Sequence, residues 1–304
     1  MAKVCVLLSG SGVYDGAELH EAVLTLLALH EAGAEVLMAA PSGPQFHVVN
    51  HLTGAVAEGE TRDILVESAR VARGEITALD QVSIDELDAV VLPGGFGVAK
   101  NLCSFAFDGP ECSVHEGVAR FLREARARSL PLGFACISPA LAAAVFREGT
   151  LTVGRDDDGA SEGLRALGAT AVACEASGVI VDEERRTVST PAYMTGTSLV
   201  ELRAGLKGMV DQVLEWALDD AQRDALGTLE GWSLDGRSIC RAWRFEDDKA
   251  SIDWVNRVWS LAQAQGHHPD IELSYATVTI RLTTHDEGGL SEADFALARQ
   301  IDEL

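Results

Sequence analysis

Along the first two thirds of the chain, short continuous apolar runs alternate with stretches whose apolar residues recur at helical spacing. The apolar runs predict buried strands at 3–9, 34–40, 87–92 and 130–135, with a short hairpin pair at 179–181 and 187–189. The helical stretches are 17–32, 63–72, 113–128, 139–146 and 198–216. Strands that alternate with helices predict a parallel sheet covered on both faces, with functional sites at the carboxyl ends of the strands.

After Trp216 the pattern changes. Strand-like segments are predicted at 232–234, 238–245 and 275–283, and helices at 219–226, 248–265 and 291–304. Within 275–283 the apolar residues alternate with more polar ones, as expected for a half-buried strand. At the start of the last helix, Ser291 suits the N-cap, and Asp294 takes the place that a capping box gives to Glu or Gln. We therefore predict a small α+β domain with an antiparallel sheet over 218–304, following an α/β domain over 1–217.

Composition narrows the class of protein. The 304 residues are 47% apolar, which is enough for two cores, and the net charge of −23 disfavours binding to nucleic acid or to anionic membranes. No uncharged apolar run reaches the ~18 residues of a membrane helix, and the first apolar run is expected to be a strand and not a signal peptide. Six cysteines without a CxxC pair predict reduced thiols. The expected location is therefore cytoplasmic.

Three histidines mark the first candidate site. His267 and His268 are adjacent and stop at Pro269, and His285 follows the alternating strand. Imidazoles titrate near ~6.5, so a group of three can donate and accept protons at neutral pH. No cluster of thiols or carboxylates accompanies them, so acid–base chemistry is favoured over metal binding, and no metal or cofactor is predicted.

Cys136 marks the second candidate site, at a strand-to-helix junction in GFACISPAL. Such a turn can expose a nucleophile, and a helix N-terminus lowers the pKa of a thiol. The glycine turn PGGFGVAKN, with Gly94 and Gly95, could supply backbone amides to an oxyanion hole. The alternative is a small residue at a tight corner. Likewise Glu21, near the start of the first helix, could share a proton with a thiolate or could simply be solvated.

Several motifs in the first 217 residues together resemble one family. They are SGSGVYDGAELHEAVLTLLAL, VVNHLTG, TRDILVESARVARGEI, LPGGFGVAKNL, LGFACISPA and STPAYM. In this order they resemble the ElbB-type glyoxalases of the PfpI-like superfamily. The resemblance implies a flavodoxin-like sandwich and a cofactor-free conversion of small dicarbonyls to hydroxy acids. It makes Cys136 the nucleophile and Glu21 its carboxyl partner, whereas Ile137 stands where hydrolytic members carry histidine. A non-catalytic sensor or chaperone-like protein is the alternative.

The last 87 residues resemble pterin-4a-carbinolamine dehydratases. GWSLDGRSI, the aromatic residues around Trp243, and the spacing of the His267–His268 pair from His285 and Asp294 carry this resemblance. It implies dehydration of 4a-hydroxytetrahydropterin to quinonoid dihydropterin, catalysed by the three histidines.

The same resemblance suggests two further site residues. Trp232 would line the pocket, and Asp294 would either orient a histidine or only cap its helix. Gln263 departs from the acidic residue that the family often carries. An oligomerisation or binding module is the alternative. The sequence thus predicts a bifunctional, homo-oligomeric fusion that acts on small molecules.

Overall fold

The computed structural model describes residues 2–196, 198–218, 220–235, 238–284 and 289–304. These residues form two compact units, one made of residues 2–30 and 35–217 and the other containing residues 218–304.

The first unit contains eleven strands in its described part: β1 Lys3–Leu7, β2 Glu35–Ala40, β3 Val49–Asn50, β4 Ala55–Val56, β5 Thr77–Ala78, β6 Ala89–Leu92, β7 Leu132–Ala135, β8 Thr150–Leu151, β9 Thr170–Ala171, β10 Ile180–Asp182 and β11 Thr187–Thr190. Its α-helices are α1 Leu19–Glu31, α2 Ile64–Val71, α3 Phe105–Asp108, α4 Glu116–Ala127, α5 Ser138–Phe146, α6 Gly159–Ala166 and α7 Leu199–Ala217. A π-helical turn, Val98–Leu102, follows the glycine-rich loop.

The main sheet of this unit has the strand order β10-β11-β7-β6-β1-β2-β5. Its pairs are parallel, apart from the antiparallel hairpin of β10 and β11. Strands β6 and β7 are fully buried, because helices cover both faces of a parallel sheet. The predicted flavodoxin-like α/β class and the predicted hairpin are confirmed.

Strand β7 and helix α5 form the junction that the sequence singled out. Helix α5 is buried almost all round, as expected for a helix without a polar face. Leu141 and Phe134 are fully buried in the same hydrophobic core. The corner between these two elements is therefore held rigidly, which makes it a suitable support for a reactive side chain.

The second unit contains strands β12 Ser233–Asp235, β13 Ser238–Arg244, β14 Asp270–Ser274 and β15 Thr277–Leu282, and helices α8 Asp220–Gly227, α9 Asp248–Gln265 and α10 Glu292–Asp302. The strands form an antiparallel sheet in the order β12-β13-β15-β14. Val278, Ile280 and Leu282 on β15 are fully buried, so the predicted alternation is confirmed.

Two details of this sheet differ from the prediction. Strand β14 was not anticipated, because most of its residues are exposed and its sequence DIELS has no buried apolar face. The predicted strand at 275–283 also begins later, at Thr277. Tyr275 adopts φ 52° in the turn that joins β14 to β15, a conformation that no strand residue can have.

Candidate functional sites

Cys136 lies at the sharp corner between β7 and α5. Its φ of 60° is left-handed, a conformation that costs a non-glycine residue about 1–3 kcal/mol. Two sets of hydrogen bonds hold the corner. The Cys136 amide donates to the carbonyl of Thr190 at 2.9 Å, and the Ser138 hydroxyl donates to the carbonyls of Ala135 (2.8 Å) and Leu92 (3.0 Å). The strained turn predicted for a nucleophile is therefore present.

The carboxyl group of Glu21 lies beside Cys136 and is completely buried. Its Oε2 accepts from the Gly94 amide at 2.9 Å, and its Oε1 accepts from the Tyr193 amide at 3.2 Å. A Cβ at position 94 would lie 2.4 Å from the Cys136 Cβ and 2.8 Å from Glu21 Oε2. Only glycine fits between the thiol and the carboxyl group, which explains the first glycine of this loop.

The thiol and the carboxyl group shift each other's affinity for protons. Burial, together with the nearby Glu18, raises the pKa of Glu21 from 4.5 to about 7. Burial and the Glu21 carboxylate raise the pKa of Cys136 well above its ordinary value, and the amides of Gly95 and Ile137 oppose this rise. At neutral pH the proton therefore rests on the Cys136 sulfur, and the Glu21 carboxylate beside it can accept that proton.

The amides that face the sulfur are those of Gly95 and Ile137. Gly94 was predicted to bind substrate through its amide, but that amide donates to Glu21 instead. Gly95 has φ 100°, and a Cβ there would lie 2.4 Å from the backbone atoms of Glu18 and Gly16. The glycine loop thus supplies one amide to the carboxylate and one to the thiol.

Three further residues surround this pair, and the sequence did not identify them as functional. Glu18 is buried, and its Oε2 accepts from the Glu21 amide at 2.7 Å. His20 Nδ1 lies 4.0 Å from Glu18 Oε1 and 2.7 Å from the Tyr193 hydroxyl. The available signals were the ELHE sequence at the start of α1 and the tyrosine of STPAYM, but their proximity depends on tertiary structure.

In the second unit, His267 is paired with a buried aspartate. His267 Nε2 lies 2.7 Å from Asp294 Oδ1, and Asp294 is completely buried. Asp294 Oδ2 accepts from the Thr284 hydroxyl (2.8 Å), the Ser291 amide (2.8 Å) and the Ser291 hydroxyl (3.3 Å). The two alternatives for Asp294 are therefore both realised, because one oxygen caps α10 and the other contacts a histidine.

The remaining predicted residues of this site have different surroundings. His268 is exposed, with its ring centroid 5.5 Å from that of Trp259. Trp232 lies in the core of the unit, where its indole N–H donates to both carboxylate oxygens of Asp302 at 3.0 and 3.1 Å. This packing accounts for Trp232 without a bound substrate, so a pocket role for it stays a prediction. His285 lies outside the described residues.

Within the described part of the chain, no group of three or more His, Cys, Asp or Glu side chains is arranged to hold a metal ion. No helix there is both long and apolar enough to cross a membrane.

Comparisons with known proteins match two different parts of the sequence. Residues 217–304 match the family model of pterin 4 alpha carbinolamine dehydratase. This region is similar to a putative pterin-4-alpha-carbinolamine dehydratase of Cyanothece. The two are 51% identical over 79 residues, which cover 26% of this chain and 81% of that protein.

The N-terminal region is similar to different proteins. The human protein named glutamine amidotransferase-like class 1 domain-containing protein 3, mitochondrial, is 45% identical over 222 residues, covering 70% of this chain and 83% of that protein. The crystal structure of an isoprenoid biosynthesis protein with amidotransferase-like domain from Ehrlichia chaffeensis is 33% identical. It covers 72% of this chain and all of that chain, with a TM-score of 0.67. The chain therefore belongs to two families at once, as a fusion of a glutamine amidotransferase-like class 1 domain with a pterin-4a-carbinolamine dehydratase domain.

Proposed function

We propose that the C-terminal domain is a working dehydratase, which removes water from 4a-hydroxytetrahydropterin by histidine acid–base catalysis. The observation that carries this proposal is the bond between His267 Nε2 and the buried Asp294. A carboxylate can only accept, so Nε2 holds the hydrogen in this bond and Nδ1 is the atom that changes protonation. A histidine fixed in this way is a suitable acid or base for a bound substrate.

Two proton transfers complete the proposed reaction. The 4a-hydroxyl group accepts a proton as its C–O bond breaks and leaves as water, and a ring nitrogen of the pterin loses a proton as the quinonoid product forms. His267, His268 and His285 supply the acid and the base. Groups of this kind typically accelerate a reaction by ~10²–10⁴-fold. No redox change and no metal ion are needed to balance this step.

Dehydration kinetics test the assignment. We expect purified wild-type protein to dehydrate 4a-hydroxytetrahydropterin well above the spontaneous rate, and His268→Ala to lose most of this acceleration while keeping its oligomeric state. A folded wild-type protein without acceleration would favour the alternative, an oligomerisation or binding module. His268 is exposed, and its ring lies beside the partly exposed ring of Trp259. Substitution of His268 should therefore leave the fold intact.

For the N-terminal domain, the supporting observation is the buried thiol–carboxyl pair of Cys136 and Glu21, and it favours a cysteine-dependent glyoxalase. The sulfur adds to an aldehyde carbon of a dicarbonyl, and Glu21 passes the thiol proton to the carbonyl oxygen, which gives a hemithioacetal. Glu21 then carries the hydrogen on that carbon as a proton to the neighbouring carbon, while the hydroxyl proton of the hemithioacetal moves to the oxygen of the neighbouring carbonyl group, which leaves a thioester. Water hydrolyses the thioester to a 2-hydroxy acid and restores the thiol. The amides of Gly95 and Ile137 are placed to stabilise negative charge near the sulfur.

Turnover of glyoxal tests this second assignment. We expect Cys136→Ser and Glu21→Gln to abolish it. Cys174→Ser is the matched control, because Cys174 is a half-buried thiol outside the site. Full activity of Cys136→Ser would contradict the nucleophile assignment. Inactivity of folded wild type would favour a sensor or chaperone-like domain.

Three expectations from the sequence remain predictions for the whole protein. A domain boundary at residue 217 predicts that 1–217 and 218–304 can each be expressed as a folded domain. A homo-oligomer is expected and can be measured by light scattering. The human relative is named as mitochondrial, whereas cytoplasmic location is predicted here, and fractionation of the source cells distinguishes the two.

A further inference from the structure

Two cysteines outside the sites described above lie on neighbouring segments of backbone. Cys103 and Val114 form an isolated antiparallel bridge. Beside this bridge the Ser104 amide donates to the Ser113 carbonyl at 2.9 Å. The backbone is extended at both Cys103 and Cys112. In an extended segment, side chains two positions apart point to the same side. Cys112 therefore shares the side of Val114 and faces Cys103 diagonally across the bridge.

The two thiols belong to one hydrophobic core but differ in their access to solvent. Cys103 is 4% exposed, and its Sγ lies 3.4 Å from the carbonyl oxygen of Val98. Cys112 is 7% exposed and lines an open recess of about 710 Å³, whose other residues come mainly from helices α4 and α5. Cys103 does not line this recess. A small molecule that enters from solvent therefore reaches Cys112 first and finds Cys103 behind it.

The surroundings of the pair favour negative charge on Cys112. Three arginines line the recess together with Cys112, namely Arg120, Arg123 and Arg147. A hydrogen bond from the Cys103 thiol lowers the pKa of Cys112 and the charge of Arg147 lowers it further, whereas burial opposes both. The same hydrogen bond and burial raise the pKa of Cys103. A thiolate is the nucleophilic form of cysteine, so Cys112 is the more reactive of the two thiols.

We propose that Cys103 and Cys112 are a redox-active thiol pair, which a peroxide oxidises to a disulfide. The Cys112 thiolate attacks a peroxide oxygen, so that an S–O bond forms and the O–O bond breaks. This step gives a sulfenic acid and a hydroxide or alkoxide ion, which takes a proton from water. The Cys103 sulfur then attacks the Cys112 sulfur, and the hydroxyl group leaves as water with the Cys103 proton. The thiols lose two electrons in total, and the peroxide gains them.

Digestion with trypsin separates this pair from the other thiols. Cleavage after Lys100 and Arg120 releases residues 101–120, which is the one tryptic peptide of the sequence with two cysteines. The full-length protein is treated with limiting hydrogen peroxide and then with iodoacetamide, before digestion and mass spectrometry. We expect peptide 101–120 to carry no alkyl group and to be two hydrogen atoms lighter than its reduced, unalkylated form. Reduction before alkylation should restore both alkyl groups.

Three variants test the roles assigned to these residues. Cys103→Ser should stop the oxidation of Cys112 at the sulfenic acid, which dimedone traps, and Cys112→Ser should leave Cys103 reduced. Arg147→Gln should slow disulfide formation several-fold, because the thiolate loses a neighbouring positive charge. Arg73→Gln is the matched control and should react like wild type. Arg73 is another exposed arginine with left-handed backbone, φ 55° against 58° for Arg147, and it does not line the recess.

The site at which wild type is oxidised decides the proposal, whether or not either domain proves to be an enzyme. If peptide 101–120 keeps both alkyl groups while the peptide of the half-buried Cys174 is oxidised, the proposal is overturned. A sulfinic acid on Cys112 beside an alkylated Cys103 would also overturn it, because Cys103 would then not reach the Cys112 sulfur. Circular dichroism checks that the serine variants are folded.

Discussion

The buried carboxyl group of Glu21 predicts a specific dependence of stability on pH. Its pKa is raised from 4.5 to about 7, first by burial and second by Glu18. Between these values the folded protein holds a proton that the unfolded chain has released. The free energy of unfolding therefore falls as pH rises through this range and becomes level above it. Below about pH 4.5 both states are protonated and the effect is absent.

The size of the effect follows from the two values. Each pKa unit corresponds to ~1.4 kcal/mol, so ionisation of Glu21 lowers the free energy of unfolding by about 3 kcal/mol between about pH 4.5 and about pH 7.5. Solvent does not screen this effect appreciably, because the Glu21 side chain is fully buried. The Cys136 thiol contributes no comparable change in this range, because its pKa is well above its ordinary value.

Urea unfolding at about pH 5 and about pH 8, followed by circular dichroism, measures this dependence. In Glu21→Gln the group cannot ionise, so the stability lost between the two pH values should be about 2.5 kcal/mol smaller than in wild type, since a small part of the loss has already occurred at pH 5. Glu58→Gln, a change at an exposed glutamate, is the control and should lose as much as wild type. Equal losses in wild type and Glu21→Gln would refute the account of a buried, proton-holding carboxyl group.

Four other substitutions test the two sites. Asp294→Asn should lower the dehydratase rate about tenfold or more, because it loses the carboxylate on His267, whereas Ser291→Ala should cost about 1 kcal/mol of stability by losing the cap and leave the rate largely unchanged. Gly94→Ala should abolish glyoxal turnover and slow alkylation of Cys136, since its Cβ would lie 2.4 Å from that of the cysteine. Trp232→Phe should lower the melting temperature and leave the Michaelis constant for the pterin substrate unchanged, because the indole N–H bonds within the core; an increase in that constant would restore its predicted place in the pocket.

The sequence predicted the parts of the fold that depend on buried apolar runs. Strands β6 and β7 are continuous apolar segments, and their burial follows directly from that pattern. Strand β14 has no such pattern, and it forms because its backbone pairs with β15. Local sequence carries no signal for a strand whose side chains are mostly exposed.

The candidate sites show the same limit. Cys136 could be singled out because a strand-to-helix corner is a local feature. His20 and Tyr193 could not, since they are 173 residues apart in the chain and meet only in the folded protein. Asp294 lies between these cases. Its capping role was visible from Ser291 three residues earlier, whereas its contact with His267 spans 27 residues and was suggested only by the family resemblance.

The most direct test of the central claim is the rate of 4a-hydroxytetrahydropterin dehydration by the full-length protein, measured above the spontaneous rate for wild type and His268→Ala. A large acceleration by wild type that His268→Ala loses is the predicted result. Equal rates for the two proteins, or no acceleration by a folded wild type, would contradict histidine-dependent dehydration.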